Sequence, residues 1–204
     1  MHKELCGYDE KRYDLEHREK KEARKAFALK IIFWLVSISL VVLMAFLIIH
    51  FGIDKTSVVN SSMEPTLSKD DSIIINTAAY KFGSPERFDV VVIKSGDNEH
   101  AIYDVKRIYG LPGETIQIVS GVIYINGEEL KDVVKVEEME LAGLASEEIK
   151  LGDDEYFVLA DDRNNAEDSR YSNYGMVHSS DIVGKAWIRT NKFGFVNMLN
   201  KTND

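Results

Sequence analysis

Two hydrophobic patterns divide this chain. From residue 31 to residue 49, nineteen consecutive positions carry no charge. Apolar residues there point to every side of a helix, and at about 1.5 Å per residue the run reaches about 28 Å, the thickness of a bilayer core. Beyond residue 71 the pattern shortens to runs rich in Val, Ile and Tyr, bounded by Gly, Pro, Asn and Asp. These predict strands over 72–76, 88–94, 101–109, 115–119, 122–125, 155–160 and 182–188. Ser120-Gly121 and Asn126-Gly127 read as tight turns between such strands. No helical period competes, so the distal part is expected to be mainly β, an antiparallel sheet assembly behind one N-terminal helix.

The predicted organisation is a charged tail over 1–30, a membrane span over 31–51 and a folded domain over 52–204, with an irregular acidic excursion at 128–154. A cleaved signal peptide has an apolar core of about 7 to 15 residues, shorter than this run. Lys20, Lys21, Arg24, Lys25 and Lys30 crowd its N-terminal flank, against Asp54 and Lys55 beyond the other end. The positive-inside rule then puts the N-terminus in the cytoplasm and the β domain outside, with the lipid bilayer as a partner.

Charge narrows the function. Residues 54–204 hold sixteen Lys/Arg against twenty-seven Asp/Glu, a net of −11, which is no footprint for nucleic acid. The one cysteine, Cys6, excludes an internal disulfide, and five scattered histidines give no ligand spacing. No metal or other cofactor is expected.

The candidate chemistry begins at Asn60-Ser61-Ser62-Met63-Glu64-Pro65-Thr66-Leu67. Pro65 fixes its own φ and biases Glu64 away from the helical region, so the segment presents a hydroxyl, that of Ser62, on a turning backbone. A serine needs a base to become a nucleophile. Lys106 is the candidate, because strand alternation puts Ile102, Asp104, Lys106 and Ile108 on one face and burial against isoleucines disfavours an ammonium. Asp104 shares that face and favours the charged amine, so it is expected to point past the site or to be engaged elsewhere. Arg107, on the opposite face, is expected to be structural.

Ser62-Met63-Glu64-Pro65-Thr66-Leu67, Arg87-Phe88-Asp89-Val90-Val91-Val92, Val105-Lys106-Arg107-Ile108-Tyr109-Gly110-Leu111-Pro112-Gly113-Glu114, Asp161-Asp162-Arg163-Asn164-Asn165-Ala166-Glu167-Asp168-Ser169-Arg170 and Gly184-Lys185-Ala186 together resemble the ordered motifs of bacterial type I signal peptidases. The resemblance spans nearly all of 57–190. It implies the signal-peptidase type of β fold and a membrane-bound Ser-Lys endopeptidase, with Ser62 as nucleophile and Lys106 as general base. Its substrates would be signal peptides of exported preproteins, bound as an added β-strand. The export translocon is a further candidate partner.

By matching position, Val58, Val59, Met63, Leu67 and Val105 would line the substrate pockets. The backbone N–H of Ser62 and the side chain of Asn60 would form the oxyanion hole. Asp168 and Arg170, with Ser169 between them, would fix the loop beside the site. Three positions depart from the family pattern: Ala160, Asp162 and Ala166 stand where Gly, Asn and Ser are usual. The missing serine hydroxyl helps to orient the lysine in relatives, so Lys106 is expected to be held by packing, by water or by Ser169. The alternative is a membrane-anchored, non-catalytic homologue that binds preproteins. A soluble, self-cleaving repressor-type protein shares the dyad, but the span argues against it.

Overall fold

The structure, a computed structural model, describes residues 2–81, 83–95 and 102–201. The chain divides into two units, residues 1–50 and 51–204. The first lies within helix α1 (His2–Gly52). The charged tail is helical from His2 onward. Within α1, Lys20–Phe46 is long and apolar enough to cross a membrane. Phe33, Leu35 and Val41 are all more than half exposed. Ser37, inside the run, donates its hydroxyl to the Phe33 carbonyl at 2.8 Å and so leaves no free donor there.

The second unit is mainly antiparallel β. Its strands are β1 (Ile53–Ser57), β2 (Ser72–Asn76), β3 (Val90–Ser95), β4 (Ile102–Gly110), β5 (Thr115–Val119), β6 (Val122–Ile125), β7 (Glu128–Leu130), β8 (Ile149–Lys150), β9 (Glu155–Leu159), β10 (Val177–His178), β11 (Ile182–Arg189) and β12 (Gly194–Phe195). One sheet runs β1-β2-β11-β3-β4-β9-β10 with β12 beside β11, and a smaller one runs β7-β6-β5-β8. All seven predicted strands are present. Their ends differ by one or two residues, and Ala101, predicted as the start of one of them, lies outside the described residues.

Strand β2 shows why the pattern was readable. Ile73 and Ile75 are buried while Ser72, Ile74 and Asn76 are half-buried, the alternation of a strand covered mainly on one face. Ser120 and Gly121 both take positive φ (51° and 81°), the requirement of a two-residue turn that matches strand twist. The strand predicted from residue 88 starts at Val90 instead, because Phe88 has φ of 68° and its ring packs edge-on against Tyr109 at 5.5 Å.

The acidic stretch 128–154 contributes to the core of this unit. Met139, Ala145 and Leu151 join Ile116, Ile118, Ile123 and Phe157 in one core cluster, and the stretch supplies two strands of the smaller sheet. Met139, Ala145 and Leu151 lie six residues apart, a spacing that marks no strand or helix face, so only the tertiary packing reveals them as core. Gly110 marks the crossing from β4 to this cluster. A Cβ there would lie 2.6 Å from Leu151 Cδ1 and 2.9 Å from Phe157 Cβ, so no larger side chain fits.

A buried ion pair ties the two halves of the candidate site. Arg107 donates to Asp161 through Nε at 2.9 Å and Nη2 at 2.7 Å, both side chains being almost wholly buried. Thr66 donates its hydroxyl to the same carboxylate. Burial opposes the guanidinium charge, but the hydrogen bonds and charge of Asp161 outweigh it and hold Arg107 above its usual range. Removing one partner strands a buried charge, at about 3–5 kcal/mol. Arg107→Ala and Asp161→Ala are each expected to lose that much in urea unfolding of the detergent-solubilised protein. Arg107→Met with Asp161→Leu, which strands no charge, should lose less.

Candidate active site

The segment 61–67 folds into tight turns in which Glu64 N–H donates to Ser61 O at 2.9 Å and Leu67 N–H to Met63 O at 2.8 Å. Met63 and Leu67 have no exposure and anchor the turn in the core with Val58, Val90 and Val105. The Asp162 N–H donates to the Ser62 carbonyl at 3.0 Å. Ser62 is thus held from below by apolar packing and from the side by the polar loop at 160–170.

Lys106 reaches it from β4, where it lies opposite Val91 of β3. The side chain is 1% exposed, and Nζ donates to Ser62 Oγ at 3.2 Å. Nζ also donates to a carboxylate oxygen of Asp104. The expectation that Asp104 points past the site is therefore corrected. Its Oδ1 accepts from Asn60 Nδ2 at 3.1 Å and Val105 N–H at 2.9 Å, while its Oδ2 accepts from Tyr174 OH at 3.2 Å. These donors turn the carboxylate back along the strand toward the amine. The Tyr174 ring lies 5.4 Å from Nζ, within cation–π range.

Asn60 is not oriented as an oxyanion donor. Its Nδ2 is engaged by Asp104, so its Oδ1 faces Ser62 and accepts from Ser62 Oγ at 2.7 Å and Ser62 N–H at 3.2 Å. The Ser62 N–H expected to serve the oxyanion is itself occupied. Nor is Ser169 near the amine by hydrogen bonding: its hydroxyl accepts from Val158 N–H at 3.1 Å in the loop interior. Asp168 does hold that loop, accepting from Ala160 N–H at 3.0 Å and from Arg170 Nε at 2.8 Å.

Beside Ser62 lies a cavity of about 280 Å³, lined by Asn60, Ser62, Asp104, Lys106, Glu167 and Tyr174 among others, with Ala166 in its wall. The five apolar residues expected at the pockets do not line it. Val58, Met63, Leu67 and Val105 are sealed in the core, and Val59 alone of the five is exposed, at 64%. Sequence reasoning missed Tyr174. It stands in no quoted motif, and only the chain path after Arg170 brings it to Lys106.

This arrangement supplies what a hydroxyl nucleophile requires, an amine within hydrogen-bonding reach. Among described residues no strand pairs with the edge of β4 opposite β3 from Ile102 to Lys106, since β9 joins only from Arg107 onward; there Val105 N–H donates to Asp104 Oδ1 and the Val105 carbonyl accepts from Ser62 Oγ at 3.4 Å.

The family model described as "Signal peptidase, peptidase S26" matches residues 31–190. The chain is 36% identical over 156 residues to a probable signal peptidase I-2 of Synechocystis sp., covering 72% of this chain and 67% of that protein. It is 34% identical over 197 residues to a signal peptidase I of Bacillus amyloliquefaciens, covering 92% and 100%. Signal peptidase I T of Bacillus subtilis is 34% identical over 169 residues, covering 79% and 83%.

Because the Ser169 hydroxyl serves a buried backbone donor, Ser169→Ala is expected to cost about 1–3 kcal/mol in urea unfolding and to leave peptide-bond cleavage at the wild-type rate. A loss of cleavage with unchanged stability would instead put Ser169 at the amine.

Proposed function

Since the chain belongs to the S26 signal peptidase family of peptide-bond hydrolases, we propose that it cleaves signal peptides from exported preproteins with Ser62 as nucleophile and Lys106 as general base. The observation that carries this reading is the 3.2 Å approach of Lys106 Nζ to Ser62 Oγ in a buried setting.

In the proposed reaction the free amine takes the Ser62 proton as Oγ attacks the scissile carbonyl carbon. The resulting ammonium then protonates the leaving amine, and a water, activated by the same lysine, hydrolyses the acyl-enzyme. The developing oxyanion would take the Ser62 N–H once substrate displaces Asn60 Oδ1 from it. The edge of β4 with no strand beside it supports binding of the peptide as an added strand, with Val59 as an exposed apolar contact.

The apolar segment Lys20–Phe46 supports anchoring in the membrane, with the tail on the cytoplasmic side and the β domain outside. Confinement to one plane would raise the effective concentration of enzyme and signal peptide. The lipid bilayer and the export translocon are the partners proposed with this topology.

The test is cleavage of a preprotein by the detergent-solubilised chain, beside Ser62→Ala and Lys106→Ala. Cleavage after a small residue is expected, at a rate that rises as pH is raised, as a general base requires. Each substitution should lower the rate by at least about a hundredfold. Binding of preproteins without cleavage would favour the anchored, non-catalytic homologue.

A further inference from the structure

The Lys106 amine meets two side-chain acceptors, Ser62 Oγ and Asp104. Ala166, which lines the same cavity, has no polar atom to add. Asp104 is in turn held by four donors: Lys106 Nζ, Tyr174 OH, Asn60 Nδ2 and the backbone N–H of Val105. Asn60 closes the circuit by accepting from Ser62 Oγ at 2.7 Å. Ser62, Asn60, Asp104 and Lys106 therefore form a closed ring of hydrogen bonds, with Tyr174 bracing it from outside.

We propose that Asp104, braced by Asn60 and Tyr174, is the positioning residue that aims the Lys106 amine at Ser62 and sets the pH range in which that amine can take the Ser62 proton. The proposal rests on the Ser62–Lys106 reading above and adds a second carboxylate-side function to the same strand. A carboxylate with four donors cannot rotate away without abandoning all of them, so the amine it holds is confined to one direction. A carboxylate beside an amine favours its charged form over its neutral one, and Asp104 is the carboxylate in hydrogen-bond contact with Lys106 Nζ.

The other groups facing the amine do not replace Asp104. Tyr174, from the segment after Arg170, has its phenol pushed far above the usual range by burial and then by the Asp104 charge, so it stays a donor wherever the amine is free. Glu167 lines the same cavity and accepts from Asn173 Nδ2 at 2.9 Å. Asp168 is taken by Arg170 and the Ala160 N–H. Arg107, next along β4, is committed to Asp161.

The experiment uses the full-length protein in detergent, with [13C]lysine labelling and the Lys106 Cε resonance identified by its loss in Lys106→Met. That resonance and the kcat and KM for a preprotein are followed across about pH 6 to 11 in wild type, Asp104→Asn, Asp104→Ala and Tyr174→Phe. In Asp104→Asn both the resonance midpoint and the rising limb of kcat are expected to move to lower pH. In Asp104→Ala the plateau kcat should also fall, by about a hundredfold, with KM little changed. Tyr174→Phe, which removes one hydroxyl, should move the midpoint in the opposite direction, because a less satisfied carboxylate attracts the ammonium more strongly. A midpoint unmoved in folded Asp104→Asn overturns the proposal. If the wild type cuts nothing while the midpoint still moves, the protease reading fails and the Asp104–Lys106 coupling stands.

Discussion

The buried pair of Arg107 and Asp161 is the constraint from which the site follows. Arg107 is the residue after Lys106, so fixing its guanidinium fixes the local twist of β4 and the direction in which Lys106 leaves the strand. Asp161 opens the polar loop, and its carboxylate also takes the Thr66 hydroxyl four residues past Ser62. Two charges and one hydroxyl thereby bring together three segments far apart in sequence. Their mutual satisfaction offsets a desolvation penalty that any one of them would carry alone.

Around that pair most of the charged motif residues act as scaffold. Arg87 bonds Glu114 and the Tyr109 carbonyl, Lys185 pairs with Asp89, and Asp89 also accepts from Tyr80 and Asn197. Arg163 is held by Asp132 and Tyr109. Arg170 caps the loop through Asp168 and the Leu141 carbonyl. No buried side-chain polar atom among the described residues is left without a partner. That density of satisfied charge is how a polar loop can sit against a core and still be rigid enough to keep an amine within hydrogen-bonding distance of a hydroxyl.

The polar ring at the site has a different character. Its members are one amine, one carboxylate, one amide and one hydroxyl, each engaged with the next. Asn60 has a single orientation compatible with Asp104, and that orientation presents an oxygen to Ser62. An oxyanion hole assembled from Asn60 and the Ser62 N–H would require this ring to open. Substrate binding, on the reading proposed above, is the event that opens it.

Much of this was legible in the sequence, for identifiable reasons. The apolar helix through 31–49 and the strands at 72–76, 115–119 and 122–125 follow from the order of residues alone, because an unbroken apolar run and burial on one face each leave a local pattern. Ser62 and Lys106 were legible as chemistry, a hydroxyl on a proline-shaped turn and an amine on an apolar strand. What the sequence could not decide is where a side chain points when its partners come from distant segments. Asp104 was expected to turn away and turns toward Lys106, because the donors that hold it come from residues 60 and 174. The acidic stretch at 128–154 hid three core residues, and Val58, Met63, Leu67 and Val105 proved to be core rather than cavity wall. Periodicity records that a residue is covered, whereas only the tertiary structure decides what covers it, since that contact joins positions that no local pattern relates.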